Sequence, residues 1–279
     1  AKIAEIGRNY KAILVQYTIF DEALIKTLTP GTVLIRYGIG VDNMDLEAAR
    51  RHGVAVCNLP TYGVNAVAEY AATAVLTCLR RLKVLDTRLQ TMGWQQKEVP
   101  YGTESAGGTV GLIGYGGISR TVRKRLSGFE FSFRIYDPYA TDVPSEEKAA
   151  TVAEVLETAD ILSLHTPLTP ETRHLLNDAA FARMKDGACL VNTARGPLVD
   201  NAALVRALDS GKIAFAVLDV FEEEPLPAAS PLFGRENVVI TSHVSWKTRE
   251  AEEKLHVLAG EEALLAVSGH PLRFNLVQP

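Results

Sequence analysis

Three side chains suited to proton transfer and anion binding stand just beyond apolar, strand-like runs in the second half of the sequence. They are Arg195, Glu224 and His243. A histidine titrates near neutral pH, a glutamate can orient it, and an arginine offers a permanently charged, planar donor fork for a carboxylate. Because all three lie downstream of a glycine-rich turn, the sequence predicts a dinucleotide site and a proton-transfer site together.

The glycine-rich turn reads TVGLIGYGGIS, an apolar run that passes into a helix-compatible segment. Gly114 permits the tight turn out of the strand, and Gly116 lets backbone N–H groups approach a pyrophosphate at the helix N-terminus. The third position of this fingerprint holds Ser119 instead of glycine, a mild departure, since a small residue still lets helix and strand pack.

An acidic residue, Asp137, ends the next predicted strand, 21 positions after Gly116. A carboxylate at that point can accept both hydroxyls of an adenosine ribose and should repel a 2′-phosphate. We therefore expect NAD as the cofactor. The alternative is that Asp137 only caps the turn before Pro138.

Apolar runs alternate with helix-compatible segments along the chain. Helix DNMDLEAARRHG is expected to be capped at Asp42 or Asn43, a long helix to run from Asn65 to Met92, and a terminal helix from Thr248 to Val267. Strands that alternate with short helices pair in parallel through right-handed crossovers. The pattern thus predicts an α/β fold with a doubly wound parallel sheet.

The composition argues against several classes of protein. With 29 basic and 33 acidic residues the formal net charge is −4, so no basic surplus is present for nucleic-acid binding. No apolar run approaches the roughly 18 residues of a membrane span, and the opening lacks the apolar stretch of a signal peptide. The cysteines are far apart in apolar contexts, which favours buried thiols in the cytoplasm over disulfides or a metal site; they are Cys57, Cys78 and Cys189.

The order and wording of the motifs resemble the D-isomer-specific 2-hydroxyacid dehydrogenase family. The resemblance covers almost the whole chain, through RYGIGVDNMDLEAARRHGVAVCNLP, GLIGYGGIS, LHTPLTPETRHLLN, VNTARGPLVD, LDVFEEEPLP and TSHVSW. It implies two Rossmann-like domains, with an NAD-binding domain, 60–243, inserted in a substrate domain, 1–59 with 244–279, and catalysis in the cleft between them. Members usually begin with a further strand and helix, so we expect the substrate domain to be N-terminally truncated here.

The resemblance assigns roles to the residues introduced above. Arg195 would bind the substrate carboxylate and polarise the C2 oxygen, while His243 would be the general acid/base for a small D-2-hydroxy acid. Glu224 would pair with that imidazole, which leaves Glu222 and Glu223 as solvated charges. The implied cofactor-binding set is Gly114, Tyr115, Gly116, Gly117, Ile118, Asp137, His165, Thr166, Pro167, Thr172, Thr193, Ala194, Arg195, Asp219 and His243.

Within that set Asp219 would accept the nicotinamide carboxamide, and Pro167 with Thr172 would border the adenine. The family's substrate-carboxylate loop corresponds to backbone N–H groups around Tyr37, Gly38 and Ile39; the substrate would also contact Arg195, His243 and Trp246, and Tyr62 could shape the pocket. The remaining histidines have no motif support and are expected to be structural: His52, His174, His256 and His270.

Other functions stay open at this point. A glutamate as histidine partner disfavours formate dehydrogenase, a relative with glutamine there, whereas phosphite oxidation is less easily excluded. The competitor from another class is the C-terminal-binding-protein type of corepressor, an NAD-sensing binding module on the same fold. The long helix after Asn65 and the excursion from Trp94 to Ser105 resemble the family's dimer-forming elements, so a homodimer is expected.

Overall fold

A computed structural model describes residues 2–94, 97 and 99–278 of the chain. The chain divides into two compact units, one made of Ala1–Val64 with Lys247–Pro279 and the other of Asn65–Trp246. These bounds differ by a few residues from the predicted 1–59 with 244–279 and 60–243. We call them the outer unit and the inner unit, because the second is inserted in the first along the sequence.

The outer unit is a small sheet covered by short helices and one long one. Three parallel strands follow the order β1–β2–β3, and an antiparallel strand, β10, pairs with β3 at the edge. The elements are α1 (Lys2–Gly7), β1 (Ala12–Val15), α2 (Glu22–Ile25), β2 (Val33–Arg36), α3 (Leu46–Arg51) and β3 (Ala55–Cys57), then α10 (Arg249–Ser268) and β10 (Asn275–Val277).

The inner unit holds the remaining elements around a six-stranded sheet. All its strand pairs are parallel, in the order β5–β4–β6–β7–β8–β9. Its elements are α4 (Val64–Arg80), α5 (Leu82–Met92), β4 (Thr109–Ile113), α6 (Gly117–Leu126), β5 (Ser132–Tyr136), α7 (Val152–Thr158), β6 (Ile161–Leu164), α8 (Asp178–Arg183), β7 (Ala188–Asn192), α9 (Asn201–Asp209), β8 (Ile213–Leu218) and β9 (Val238–Ile240).

Buried side chains alternate between the two faces of this sheet. On β7, Cys189 and Val191 belong to a core shared with α4 and α6, while Leu190 belongs to a second core shared with α7, α8 and α9. Because successive residues of a strand point to opposite faces, a fully apolar strand is what a sheet covered on both sides requires. The predicted doubly wound α/β fold is confirmed.

Two local predictions were wrong, and two elements were missed. The long helix from Asn65 to Met92 is two helices, because Arg81 adopts a left-handed conformation with φ 49° between α4 and α5. The cap of α3 is Asp45, whose carboxylate accepts the Ala48 N–H at 2.8 Å, and neither Asp42 nor Asn43 caps it. Strand β10 and helix α1 were not predicted.

Other expectations concern surfaces and thiols. All three cysteines are buried and free, as predicted. Within the described residues, no helix is both long and apolar enough to cross a membrane. The predicted excursion from Trp94 to Ser105 includes Gln95, Gln96 and Glu98, which lie outside the described residues.

Candidate active site

The glycine turn lies where β4 ends and α6 begins. Gly114 has φ 91°, and a Cβ on it would stand 2.6 Å from the carbonyl carbon of His165, so only glycine fits. Gly116 is the N-cap of α6, and a Cβ there would meet no atom within 4 Å. The first glycine therefore allows close packing inside the chain, whereas the second faces open space at a helix N-terminus, where an anion is favoured.

Strand order explains why a ligand would bind at this turn. β4 pairs with β5 on one side and with β6 on the other, so consecutive connections leave it in opposite directions. Such a switch point opens a crevice at the carboxyl ends of the strands, where α/β sheets bind ligands. Gly114 and His165 follow the two strands that form it.

Asp137 follows β5 and is used by the main chain. One carboxylate oxygen accepts the Tyr115 N–H at 2.7 Å, and the other accepts from Tyr139 at 2.8 Å and from Ala140 at 3.0 Å. Burial raises the pKa of Asp137, but these backbone hydrogen bonds outweigh it and hold the pKa below its usual value. The carboxylate therefore does cap its turn, and the same bonds fix an ionised group beside the glycine turn.

His165 lines the switch point next to Gly114. Its Nε2 lies 2.9 Å from the hydroxyl of the buried Ser163. Burial lowers the pKa of His165 to about 4, so the imidazole is neutral at neutral pH. Further along this loop the Thr172 hydroxyl donates to the Pro167 carbonyl at 2.8 Å, which joins the two residues predicted to border the adenine.

The turn that carries Arg195 is shaped by the residue that ends β7. The Asn192 side chain accepts the Ala194 N–H at 3.1 Å and donates to the Arg195 carbonyl at 2.8 Å. Thr193 is buried, and its hydroxyl has no hydrogen-bond partner in the described part of the chain. A buried hydroxyl without a partner costs roughly 1–3 kcal/mol, so its presence here is consistent with a polar ligand that would satisfy it.

Gly196 brings the Arg195 turn against the loop that carries Glu224. A Cβ on Gly196 would fall 1.8 Å from the carbonyl carbon of Phe221, which no side chain could tolerate. The Phe221 N–H in turn donates to Glu224 Oε1 at 2.9 Å. Neither Asn192 nor Gly196 was identified from the sequence, although both belong to the quoted NTARG block.

Glu224 and His243 form the pair that the sequence predicted. His243 Nδ1 lies 2.7 Å from Glu224 Oε2, and both side chains are more than a third exposed. Burial raises the pKa of Glu224, but the hydrogen bonds from His243 and Phe221, with the charges of His243 and Arg195, bring it below its usual value. An ionised carboxylate accepts only, so Nδ1 carries a proton and Nε2 remains for other chemistry.

The backbone of His243 is in an uncommon conformation. Its φ of 57° lies in the left-handed region, which costs a residue other than glycine about 1–2 kcal/mol. Two hydrogen bonds hold it there: its N–H donates to the Asp219 carbonyl at 2.8 Å, and the Trp246 indole donates to its carbonyl at 3.1 Å.

Asp219 organises the loop on both sides of His243. It is fully buried just after β8, and its carboxylate accepts the Val244 N–H at 2.9 Å, the Ser245 N–H at 2.8 Å and the Thr241 hydroxyl. The Thr241 hydroxyl also contacts the Tyr70 hydroxyl of α4 at 2.7 Å. These bonds give the carboxylate a positioning task, and its contact with the nicotinamide carboxamide stays a prediction.

One glutamate beside this pair was assigned wrongly. Glu222 was expected to be a solvated charge, yet it lies 2.5 Å from His174 Nε2 and accepts the Asn201 N–H at 2.9 Å. It therefore ties the loop after β8 to the start of α9. Glu223 is exposed, as expected.

The predicted carboxylate loop of the outer unit departs from expectation. The Tyr37 N–H donates to Val15 at 2.7 Å and the Gly38 N–H to Arg36 at 2.8 Å, so both are already used by the chain. Among the three predicted donors, Ile39 alone has an N–H without a partner within the described residues. Gly38 has φ 153°, a backbone conformation that residues with a side chain rarely adopt.

Tyr37 of the outer unit takes part in an aromatic stack. The Tyr37 ring stacks on His256, with centroids 6.0 Å apart, and burial followed by the charge of Glu252 raises the pKa of Tyr37. No group of three or more histidine, cysteine or acidic side chains in the described part of the chain could hold a metal ion.

Comparison with known proteins identifies relatives of the whole chain. The family described as D-isomer specific 2-hydroxyacid dehydrogenase, NAD binding domain, matches residues 72–245. Glyoxylate reductase of Thermofilum pendens is 38% identical over 271 residues, which are 94% of this chain and 80% of that protein. D-3-phosphoglycerate dehydrogenase of Archaeoglobus fulgidus is 35% identical over 95% of this chain, which spans only 51% of that protein.

The fold of the chain also matches solved structures. D-lactate dehydrogenase from Aquifex aeolicus, complexed with NAD and lactic acid, is 28% identical with a TM-score of 0.86. That match covers 99% of this chain and 89% of the other.

The state of His165 predicts how stability depends on pH. Because its pKa is about 4 when folded and 6.5 in an exposed histidine, the unfolded chain binds a proton between those values that the folded chain does not. This contribution should lower the unfolding free energy by up to roughly 3 kcal/mol as the pH falls from 6.5 to 4. Urea unfolding at several pH values should show a shallower dependence for His165→Asn than for the wild type. His270→Asn, at an exposed position, is the control, and equal slopes for all three proteins would contradict the assignment.

Proposed function

The chain belongs to the D-isomer specific 2-hydroxyacid dehydrogenases, NAD-dependent oxidoreductases that act on CH–OH groups, and we propose that Arg195, Glu224 and His243 carry out the reaction. The substrate is a small D-2-hydroxy acid, which is interconverted with its 2-oxo acid. The observation that carries the proposal is the 2.7 Å contact between His243 Nδ1 and Glu224 Oε2, because it leaves Nε2 available for a substrate proton.

In the oxidative direction neutral His243 takes the hydroxyl proton of the substrate at Nε2. The O–H bond breaks as the hydrogen on C2 leaves with its bonding electrons as hydride. The hydroxyl carbon thereby becomes a carbonyl, and the imidazole becomes positively charged. Bound NAD supplies the hydride acceptor, and NADH the hydride donor of the reverse reaction. Glu224 stabilises the imidazolium and keeps the ring oriented, and its lowered pKa keeps it ionised while it does so.

Arg195 holds the substrate carboxylate and polarises the C2 oxygen. The hydrogen bonds of Asn192 and the contact of Gly196 with Phe221 fix the turn that carries Arg195. They place this turn next to the loop of Glu224. A bidentate donor fork suits a carboxylate, which a lysine ammonium would hold less specifically.

The residues around the glycine turn fit NAD. Open space at Gly116, the N-terminus of α6 and the buried Thr193 hydroxyl, which has no partner among the described residues, are suited to a dinucleotide. Asp137 would be an ionised acceptor for its ribose. The residues that would hold NAD are those of the predicted set: Gly114, Tyr115, Gly116, Gly117, Ile118, Asp137, His165, Thr166, Pro167, Thr172, Thr193, Ala194, Arg195, Asp219 and His243.

The enzyme is preferred to the corepressor alternative. The relatives named above are a reductase and two dehydrogenases, and no observation favours the binding module. Relatives named for glyoxylate and D-lactate support small 2-oxo acids as the substrate class. The cytoplasmic location is part of the proposal, supported by three free, buried thiols; fluorescence microscopy of a tagged full-length protein tests it.

We expect His243→Gln to lower kcat by about 10²–10⁴-fold, because it removes the group that moves the proton. The assay uses NADH with glyoxylate, pyruvate, hydroxypyruvate and bulkier 2-oxo acids, and NAD binding is followed by protein fluorescence. For the wild type, the rate of oxidation should fall as the pH is lowered, and the rate of reduction should fall as the pH is raised. His270→Gln should behave as the wild type. Normal turnover by His243→Gln, with NAD still bound, would show that the assignment is wrong.

Asp137 should make the wild type prefer NAD over NADP in kcat/KM. Asp137→Asn should lower the ratio of kcat/KM for NAD to kcat/KM for NADP about tenfold or more. A repulsion of about 1.4 kcal/mol between the carboxylate and the 2′-phosphate corresponds to that factor. Because Asp137 also caps its turn, the unfolding temperature is measured beside the dissociation constants of both nucleotides. A wild type that prefers NADP would refute the ribose role.

The homodimer is proposed from exposed apolar side chains on and after α5. Trp94 is 82% and Tyr101 94% exposed, and Leu82 and Leu89 are also exposed. Sedimentation velocity should give twice the 30.3 kDa mass of one chain. Leu89→Glu should shift the protein toward the monomer, while Leu264→Glu, at another exposed position, on α10, should not. A wild type that sediments as a single chain at micromolar concentration would contradict the dimer.

A further inference from the structure

A hydroxyl of α4 contacts the network that holds the His243 loop. The Tyr70 hydroxyl lies 2.7 Å from the Thr241 hydroxyl, which donates to the Asp219 carboxylate. No sequence motif pointed to Tyr70, and the mechanism above does not use it. Its ring is half-buried on a helix whose neighbouring side chains, among them Ala71, Ala74 and Val75, are packed in the core.

The direction of these hydrogen bonds follows from the chemistry of the groups. A hydroxyl has one proton to donate, and Thr241 gives it to the carboxylate. The Tyr70 hydroxyl must therefore be the donor to Thr241. Burial raises the pKa of Tyr70, with a smaller opposing effect of the Thr241 bond, so the phenol keeps its proton.

The network ends at the main chain on both sides of His243. Asp219 accepts from Val244 and Ser245, its own carbonyl accepts the His243 N–H, and the Thr241 N–H donates to Leu218 at 3.0 Å. A residue in the left-handed region keeps that conformation only when its surroundings over-determine it. The Tyr70 bond fixes the Thr241 hydroxyl, and thereby the carboxylate to which the loop amides are bound.

We propose that Tyr70 is a positioning residue for His243, acting through the Thr241 hydroxyl and the Asp219 carboxylate. Helix α4 is packed in the core, and these hydrogen bonds would fix the position of His243 relative to it. The kinetic part of this inference depends on the proposed function, whereas its structural part does not.

Hydrogen exchange at the amides of His243, Val244 and Ser245 tests the structural part directly. Tyr70→Phe keeps the ring and removes the bond, so exchange in the segment 241–246 should become about 5–10-fold faster. Thr73→Val is the matched control, since it removes a hydroxyl of the same helix that donates to the Glu69 carbonyl, one turn earlier in α4. Unchanged exchange in Tyr70→Phe would overturn the proposal.

Kinetics then separate positioning from general structural support. In Tyr70→Phe we expect kcat to fall about 5–10-fold with a smaller change in KM for NAD, because Asp219 would make only one of several contacts with the nucleotide. Thr241→Val should lower kcat too, and the double variant should lose no more than the larger single loss, as both act through Asp219. Additive losses, or an unchanged kcat in Tyr70→Phe, would overturn the proposal. A wild type without turnover on any 2-oxo acid would instead refute the proposed function, and exchange would still decide on Tyr70.

Discussion

The hydrogen bonding of the buried Asp219 carboxylate is the constraint on which the proposed chemistry depends. A fully buried carboxylate is costly unless donors surround it, and here two loop amides and the Thr241 hydroxyl do so. Since the donors flank His243, the hydrogen bonds that stabilise the buried carboxylate also fix the position of the histidine. The left-handed backbone of His243 is the conformation that lets amides on its C-terminal side reach an acid that follows the neighbouring strand.

Two glycines extend this control to the other functional loops by allowing backbone to touch backbone. Gly114 packs against the His165 carbonyl at the switch point, and Gly196 packs against the Phe221 carbonyl beside Glu224. In both places the missing side chain brings together loops that follow different strands. Arg195 is thus held next to Glu224 by main-chain contact, and its charge helps to lower the pKa of that glutamate.

The sequence was most informative where one residue type has one physical use. Strand alternation predicted the sheet, and the glycine turn and Asp137 could be located because glycines and acids at these spacings have few alternatives. The pairing of Glu224 with His243 came from the family resemblance, since a histidine after a strand and one of three consecutive glutamates have several uses. It was least informative where distant residues decide. The break at Arg81 is a left-handed backbone at one residue, which the apolar spacing of the helix does not record, and the pairing of Glu222 with His174 joins residues 48 apart. Tyr70 reads as one more apolar position of a helix, because its partner Thr241 is 171 residues away.

The two acids beside His243 differ in what they hold, and burial explains the division. Asp219 is fully buried and binds main-chain N–H groups, so it fixes where the residue is. Glu224 is more than a third exposed and binds the ring, so it fixes how the imidazole is oriented. In the proposed mechanism the imidazole gains and loses a proton, and the exposure of Glu224 lowers the desolvation cost of the ion pair that forms. A main-chain amide never changes its charge, so the acid that binds it can remain dry.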